Sequence, residues 1–209
     1  MFSRRRDQLF VATKYGLPPD PCLDAAPWLG TPYRAGRAVL RRLLPAESAP
    51  QLTGPGLVRS VEASLRRLGF NDVDLLLLHD PHADRMPDPE GLADELRGLA
   101  HRGLIRSWGL SGGWAAVKDL SLRYPELAPV LQTADQEWDG GAPIPQITFG
   151  AMAGGPQRYG QRALDADLAV QRLLAALKRR PQGIVLVSTT KMANLERLAR
   201  VASQGADDH

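Results

Sequence analysis

The stretch that decides the fold is VDLLLLHDP at residues 73–81. Five of its first six residues are apolar, which is too short a run to span a membrane and too uniform for a half-exposed strand. Such a run is typical of a strand that is buried on both faces of a parallel sheet. It ends in His79, and α/β folds bind ligands at the carboxyl ends of their parallel strands. The alternative is that His79 only caps the strand or satisfies a hydrogen bond in the core.

The composition excludes several classes of protein. With 44% hydrophobic and 23% charged residues among 209, the chain has the profile of an ordinary globular protein. Its net charge of +3 is small, so the basic clusters at residues 4–6 and 178–180 are read as solvated surface and not as a nucleic-acid site. Cys22 is the single cysteine, which excludes an intramolecular disulfide and a cysteine-rich metal site. Because the sequence has no recognisable signal peptide or membrane span, we predict a cytoplasmic protein. No metal-binding residues are predicted.

Strands and helices are predicted to alternate along the chain. Apolar runs predict strands at residues 9–14, 73–79, 104–111, 133–138, 147–152 and 183–188. Apolar residues at helical spacing predict helices at residues 57–68, 89–102, 115–124, 164–180 and 194–202. A proline-rich segment at about residues 18–55 is predicted to be a long loop within a single domain that covers residues 1–209.

This alternation predicts a parallel α/β fold. No unit carries a glycine fingerprint of the Rossmann type, so a TIM-type (β/α) barrel is favoured over a doubly wound sheet. A closed barrel has eight strands, whereas about six βα units can be counted, and the barrel is therefore predicted to be incomplete. Two open edges invite pairing, and a homodimer that covers them is one of three possible outcomes. The alternatives are a true start upstream of Met1 and a proline-rich loop that fills the gap.

Polar residues follow the predicted strands. They are Lys14, His79, Ser111, Gln136 and the cluster at residues 188–191. In a parallel sheet all of these lie near one rim. Hydroxyl groups and a lysine at the start of a helix hold phosphate, because the free backbone N–H groups and the helix dipole favour anions there. The pattern predicts a cofactor that bears phosphate.

Several motifs together resemble the aldo-keto reductase family. They are VATKYG at residues 11–16, VEASLRRL at 61–68, VDLLLLH at 73–79, WGLS at 108–111, DQE at 135–137 and VSTTKMANL at 187–195. The matches follow the family's order over nearly the whole chain. The resemblance implies a (β/α)₈ barrel that reduces an aldehyde, ketone or sugar carbonyl with NADP as the cofactor.

The resemblance also implies roles for individual residues. In the family a tyrosine is the general acid, a lysine lowers its pKa, an aspartate pairs with the lysine, and a histidine orients the carbonyl. Lys14 and His79 match the catalytic lysine and histidine. The implied cofactor-binding residues are Ser111 and Gln136 for the nicotinamide carboxamide, Phe149 for its ring, and Ser188, Thr189, Thr190, Lys191 and Asn194 for the adenosine phosphate.

The chain departs from the family pattern at its start. The family's aspartate and tyrosine precede the lysine strand, whereas the 13 residues before Lys14 contain Asp7 and no tyrosine. Tyr15 is a poor substitute, because consecutive strand residues point to opposite faces. Gly112 stands where the family has an asparagine. We therefore expect an N-terminally shortened reductase with impaired turnover; the alternatives are an inactive nucleotide-binding or interaction protein, and a different reaction on the same scaffold.

Overall fold

The computed structural model describes residues 6–17, 50–152, 166–189 and 191–207, and strands and helices alternate through these ranges. The strands are β1 (Ala12–Tyr15), β2 (Val73–His79), β3 (Ile105–Ser111), β4 (Val130–Ala134), β5 (Ile147–Phe149) and β6 (Ile184–Leu186). The helices are α1 (Gly54–Leu68), α2 (Pro89–His101), α3 (Trp114–Arg123), α4 (Ala166–Arg179) and α5 (Met192–Asp207). Short 3₁₀ turns lie at Ala83–Arg85 and Pro125–Leu127.

The strands form one parallel sheet in the order β1-β2-β3-β4-β5-β6. Each strand pairs with its neighbours in chain order. Helices connect most of these parallel pairs, which is the winding of a (β/α) barrel. The register aligns Lys14 of β1 with Leu77 of β2 and aligns His79 with Ser111 of β3.

The two faces of β2 show that the sheet is curled. Leu76 and Leu78 belong to the large core cluster formed with α1, α2 and α3. Leu75 and Leu77 point the other way and cluster with Ile147 of β5, three positions away in the sheet. A flat sheet would hold these strands too far apart for contact, since neighbouring strands are about 4.8 Å apart. The described chain is a half-barrel of six parallel strands with helices between them, which confirms the predicted incomplete TIM-type barrel.

Asp74 is the one polar residue of the early part of β2, and it closes the amino end of the sheet. Its carboxylate accepts a hydrogen bond from the backbone N–H of Val11 at 2.7 Å and pairs with Arg6 at 2.9 Å and Arg106 at 3.0 Å. Burial alone raises the pKa of Asp74, but the N–H group and the guanidinium groups outweigh it and hold the pKa below its usual value. The buried carboxylate therefore remains charged and paired at neutral pH.

Some predicted boundaries were wrong. β4 is Val130–Ala134 and not residues 133–138, because residues 135–137 form a turn. α1 begins at Gly54, where the Thr53 side chain caps the helix by accepting from the N–H of Gly56, so the predicted loop ends before residue 55. Residues 18–49, most of that loop, lie outside the described residues. No helix in the described ranges is long and apolar enough to cross a bilayer.

Gly109 allows β3 and β4 to approach each other. A methyl group there would overlap the carbonyl oxygen of Val130. We expect Gly109→Ala to lower the free energy of unfolding by about 3 kcal/mol, since the backbone of β4 cannot yield as a side chain can. Urea denaturation measures this loss.

Gly98 provides the matched control, because it lies on the exposed side of α2 with open space around it. Gly98→Ala should raise the free energy of unfolding by up to about 1 kcal/mol, through the better helix propensity of alanine. Equal stability of Gly109→Ala and the wild type would contradict the packing of β3 on β4.

Candidate active site

Three polar side chains form a chain of hydrogen bonds on the inner face of the half-barrel. Lys14 Nζ donates to Ser111 Oγ at 2.8 Å, and Ser111 Oγ donates to Gln132 Oε1 at 2.7 Å. Ser111 and Gln132 are almost fully buried. They come from β1, β3 and β4, whose carboxyl ends the parallel sheet brings to one rim.

The direction of these bonds follows from the groups involved. The amide oxygen of Gln132 can only accept, so the Ser111 hydroxyl gives its proton to Gln132 and accepts from Lys14. Burial lowers the pKa of Lys14, and the negative charge of Asp80 opposes that shift only in part. Within the described residues no carboxylate lies in salt-bridge range of Lys14, so its acceptor is a neutral hydroxyl.

His79 lies at the same rim, opposite Ser111 in the β2–β3 register. Its Nδ1 is 3.2 Å from a carboxylate oxygen of Asp80. The pKa of His79 is lowered mainly by burial; Asp80 raises it, while the positive charges of Lys14 and Arg85 lower it further. At neutral pH the imidazole is therefore mostly uncharged, with Nδ1–H facing Asp80 and Nε2 free of that contact.

Phe149 faces the site from across the half-barrel. It ends β5, and its ring centroid is 5.7 Å from Lys14 Nζ of β1. The side chain remains 37% exposed, which leaves ring surface for another group. The curl of the sheet thus brings together Lys14 and Phe149, which lie 135 positions apart in the chain.

Gln132, and not Gln136, lies beside Ser111. Gln136 is in the turn after β4, where its amide donates to the carbonyls of Gly150 at 2.7 Å and Ala151 at 3.3 Å. The predicted strand begins at residue 133 and therefore leaves out Gln132. The alternation of side chains along a strand indicates an inward-facing Gln132, because Leu131 and Thr133 on either side of it take the opposite face of β4. The carboxamide role of Gln136 remains a prediction.

The predicted phosphate segment follows β6 and leads into α5. The Thr189 hydroxyl accepts from the backbone N–H of Lys191 at 3.2 Å, which forms a local turn just before α5 begins at Met192. Ser188, Lys191 and Asn194 are exposed. Thr190 lies outside the described residues. The structure does not bring this segment into hydrogen-bond contact with Lys14, His79 or Ser111 in the part of the chain that it describes.

Two departures from the family pattern have a structural reason. A Cβ atom at Gly112 would lie 3.0 Å from a carboxylate oxygen of Asp80 and 3.2 Å from its Cα, so the asparagine usual in the family has little room. Tyr15 points away from Lys14, as strand alternation predicts. Its hydroxyl accepts from the N–H of Thr53 at 3.1 Å and lies 3.2 Å from the carbonyl of the same residue. It is therefore committed to the segment that precedes α1.

The fold and the rim define an α/β half-barrel with a lysine, a histidine and a serine–glutamine pair at the carboxyl end of its strands. The model of the aldo/keto reductase family matches residues 2–132, more than half of the chain. The chain therefore belongs to the aldo/keto reductase family, whose members act as oxidoreductases on carbonyl compounds and generally use a nicotinamide cofactor. No curated protein matches the chain.

Solved structures of aldo-keto reductases share this fold. A Pseudomonas aeruginosa protein assigned to the aldo-keto reductases has a TM-score of 0.64 at 16% identity, over 98% of this chain and 70% of that one. The holo form of an aldo-keto reductase from Bacillus halodurans has a TM-score of 0.62 at 15% identity, over 99% and 73%. An aldo/keto reductase from Brucella melitensis has a TM-score of 0.53 at 18% identity, over 75% and 66%. At these identities the likeness concerns the fold alone.

The bond between Ser111 and Gln132 can be tested by a double-mutant cycle. We expect Ser111→Ala and Gln132→Ala each to lower the free energy of unfolding by about 1–3 kcal/mol, because each leaves a buried polar partner unsatisfied. The double variant should lose about 1 kcal/mol less than the sum of the two. Chemical denaturation of the four proteins measures the coupling.

Gln136→Ala is the control for that cycle, since its amide bonds elsewhere. Combined with Ser111→Ala, it should be additive to within about 0.5 kcal/mol. Coupling of Ser111 to Gln136 and not to Gln132 would contradict the hydrogen bond between Ser111 and Gln132.

Proposed function

We propose that the chain is an NADP-dependent oxidoreductase of the aldo-keto reductase type, which reduces the carbonyl of an aldehyde, ketone or sugar. The observation that carries this proposal is the meeting of Lys14, Ser111 and Gln132 beside His79 at the carboxyl rim. A partly buried amine, a buried hydroxyl–amide pair and an imidazole with one open nitrogen suit the recognition and protonation of a carbonyl group.

A nicotinamide dinucleotide is compatible with the residues at the rim. We assign Ser111 and Gln136 to the carboxamide, with Gln132 as a further candidate because it bonds Ser111, and the exposed ring of Phe149 offers a surface for stacking. We assign the binding of the cofactor's adenosine phosphate to Ser188, Thr189, Thr190, Lys191 and Asn194. The start of α5 supports this assignment, because backbone N–H groups at a helix start attract anions. The positive charge of Lys191 favours the additional phosphate of NADP over NAD.

The chain's own contribution to the reaction centres on His79. When bound, the dihydronicotinamide supplies the hydride for the carbonyl carbon. Protonated His79 donates its Nε2 proton to the carbonyl oxygen and becomes neutral, with Nδ1–H retained on the side of Asp80. The Asp80 carboxylate stabilises the imidazolium before the transfer, and the charges of Lys14 and Arg85 favour release of the proton.

Turnover is proposed to be slower than in a reductase with a tyrosine acid. Tyr15, the neighbour of Lys14, is bonded to Thr53 and cannot deliver a proton at the inner face. His79 is protonated in only a small fraction of molecules at neutral pH, because its pKa is lowered. The second candidate is an inactive nucleotide-binding or interaction protein, which the neutral partner of Lys14 favours.

The rate of carbonyl reduction should increase as the pH falls from neutral, because protonation of His79 supplies the acid. It should level off below the lowered pKa of His79. His79→Gln should lower the rate by about 10²-fold or more and remove this pH dependence. Loss of NADPH absorbance with a panel of aldehydes, ketones and sugars measures the rate.

His101→Gln is the matched control, since His101 is exposed at the end of α2 and should leave the rate unchanged. NADPH binding is followed separately by the fluorescence of the dihydronicotinamide. Binding without turnover would overturn the reductase and support the inactive nucleotide-binding protein. Absence of both would count against either function.

We also propose that the chain works as a homodimer in the cytoplasm, with residues 1–209 as one domain. Cys22 as the single cysteine supports a reducing compartment. Ile184 and Leu186 of the edge strand β6 support the dimer. They pair with Ile147 and Phe149 on the inner face, yet they remain 51% and 45% exposed among the described residues. Open apolar edges of this kind favour association.

Sedimentation equilibrium tests the dimer. Leu186→Lys should shift the protein to monomer, because it places a charge on the apolar inner face. Leu122→Lys is the control: Leu122 is 70% exposed on α3, outside the half-barrel, and this change should leave the dimer intact. A wild-type protein that stays monomeric over the accessible concentrations would contradict the dimer.

A further inference from the structure

Arg85 is a buried arginine next to the backbone of the candidate site. It ends the 3₁₀ turn Ala83–Arg85, six residues after the end of β2, and it is only 8% exposed. Each of its five guanidinium N–H groups is within hydrogen-bond distance of a backbone carbonyl. In the described residues no carboxylate pairs with it. A buried charge that is satisfied entirely by carbonyl oxygens is costly to arrange unless the geometry is well defined.

The carbonyl partners of Arg85 belong to the segments that carry the site. Nη1 donates to His79 at 3.2 Å and to Asp80 at 2.6 Å. Nη2 donates to Gly16 at 3.0 Å and to Pro50 at 2.8 Å, and Nε donates to Pro50 at 3.1 Å. One guanidinium thus links the end of β2, the residue just after β1 and the segment before α1.

Two of these partners, Asp80 and Gly16, have a positive φ angle. Asp80 has φ of 43°, in the left-handed region that a non-glycine residue rarely adopts. Gly16 has φ of 103°, and a Cβ there would lie 3.1 Å from the carbonyl oxygen of His79 and 3.3 Å from Arg85 Nη2. The turn after His79 and the end of the Lys14 strand therefore pack tightly around the guanidinium.

We propose that Arg85 is a positioning residue for the reaction, which holds the His79–Asp80 turn and the end of β1 so that the imidazole and the Lys14 amine face one rim. This inference rests on the proposed function. Arg85 acts through the backbone and touches no reacting atom. A lysine cannot replace it, because one ammonium group lacks the planar fork that reaches three separate segments.

The first test compares Arg85→Lys with Arg180→Lys. Arg180 is also buried, but among the described residues it makes no hydrogen bond to Lys14, His79 or Asp80; it bonds Asp135 and the carbonyl of Pro145. Both changes should lower the thermal unfolding midpoint. Only Arg85→Lys should move the His79 pKa, and it should move upward, because water enters the loosened turn and burial is the main cause of the low value.

NMR titration of the four histidines measures that shift, and His79→Gln identifies the signal. Arg85→Lys retains the positive charge, so a purely electrostatic effect of Arg85 would leave the pKa unchanged. Titration of His79 in Arg85→Lys as in the wild type would overturn the proposal. So would an equal shift in Arg180→Lys, which would indicate general loosening of the fold.

A measurement on the wild type keeps the inference testable if Arg85→Lys does not fold. Five carbonyl contacts should stop rotation of the guanidinium, so the Arg85 η N–H resonances of ¹⁵N-arginine protein should be separate and protected from exchange. Averaged, rapidly exchanging resonances would overturn the proposal. Where NADPH turnover is present, Arg85→Lys should lower kcat about tenfold at nearly unchanged KM for NADPH. No turnover in the wild type counts against the proposed function, and the NMR results then decide on Arg85 alone.

Discussion

The burial of β2 on both of its faces is the constraint on which the rest of the structure depends. Leu76 and Leu78 are covered by the helices, and Leu75 and Leu77 are covered by the inner cluster with Ile147. A strand of this kind must lie inside the sheet, with β1 and β3 on its two sides. Its polar carboxyl end is then the place where a side chain can leave the core and meet groups from its neighbours, and His79 is located there.

Apolar runs were enough to predict six strands in order, because strands buried on both faces have a clear pattern. The same signal failed where an inner-face residue is polar. Gln132 interrupts the apolar run of β4, so the predicted strand begins three residues too late, at residue 133, and leaves out Gln132. Alternation within the short strand identifies Gln132, since Leu131 and Thr133 share the other face. Apolar runs therefore predict strand boundaries poorly in barrels where an inward-facing residue is polar.

The sequence does not predict the roles of residues that contact backbone atoms far away in the chain. Strand alternation correctly turned Tyr15 away from Lys14, because that relation is local. Nothing around Arg85 in the sequence indicates a buried guanidinium, since its partners lie between 5 and 69 positions away. The crowding of Gly112 by Asp80 likewise depends on how β3 lies beside the left-handed Asp80 after β2. Contacts of this range follow only from the assembled sheet.

Exposure of the inner face of the half-barrel to water affects the pKa values of the side chains at its rim. Burial is the main cause of the lowered pKa values of both Lys14 and His79. Both side chains are on the inner face that Ile184 and Leu186 leave exposed. A surface that covers this face removes water from the rim, and it strengthens every charge interaction there as the local dielectric falls. A dimer of the proposed kind would therefore lower the pKa of His79 further, so the two proposals are linked: the contact that buries the apolar edge would also change the proposed proton donor.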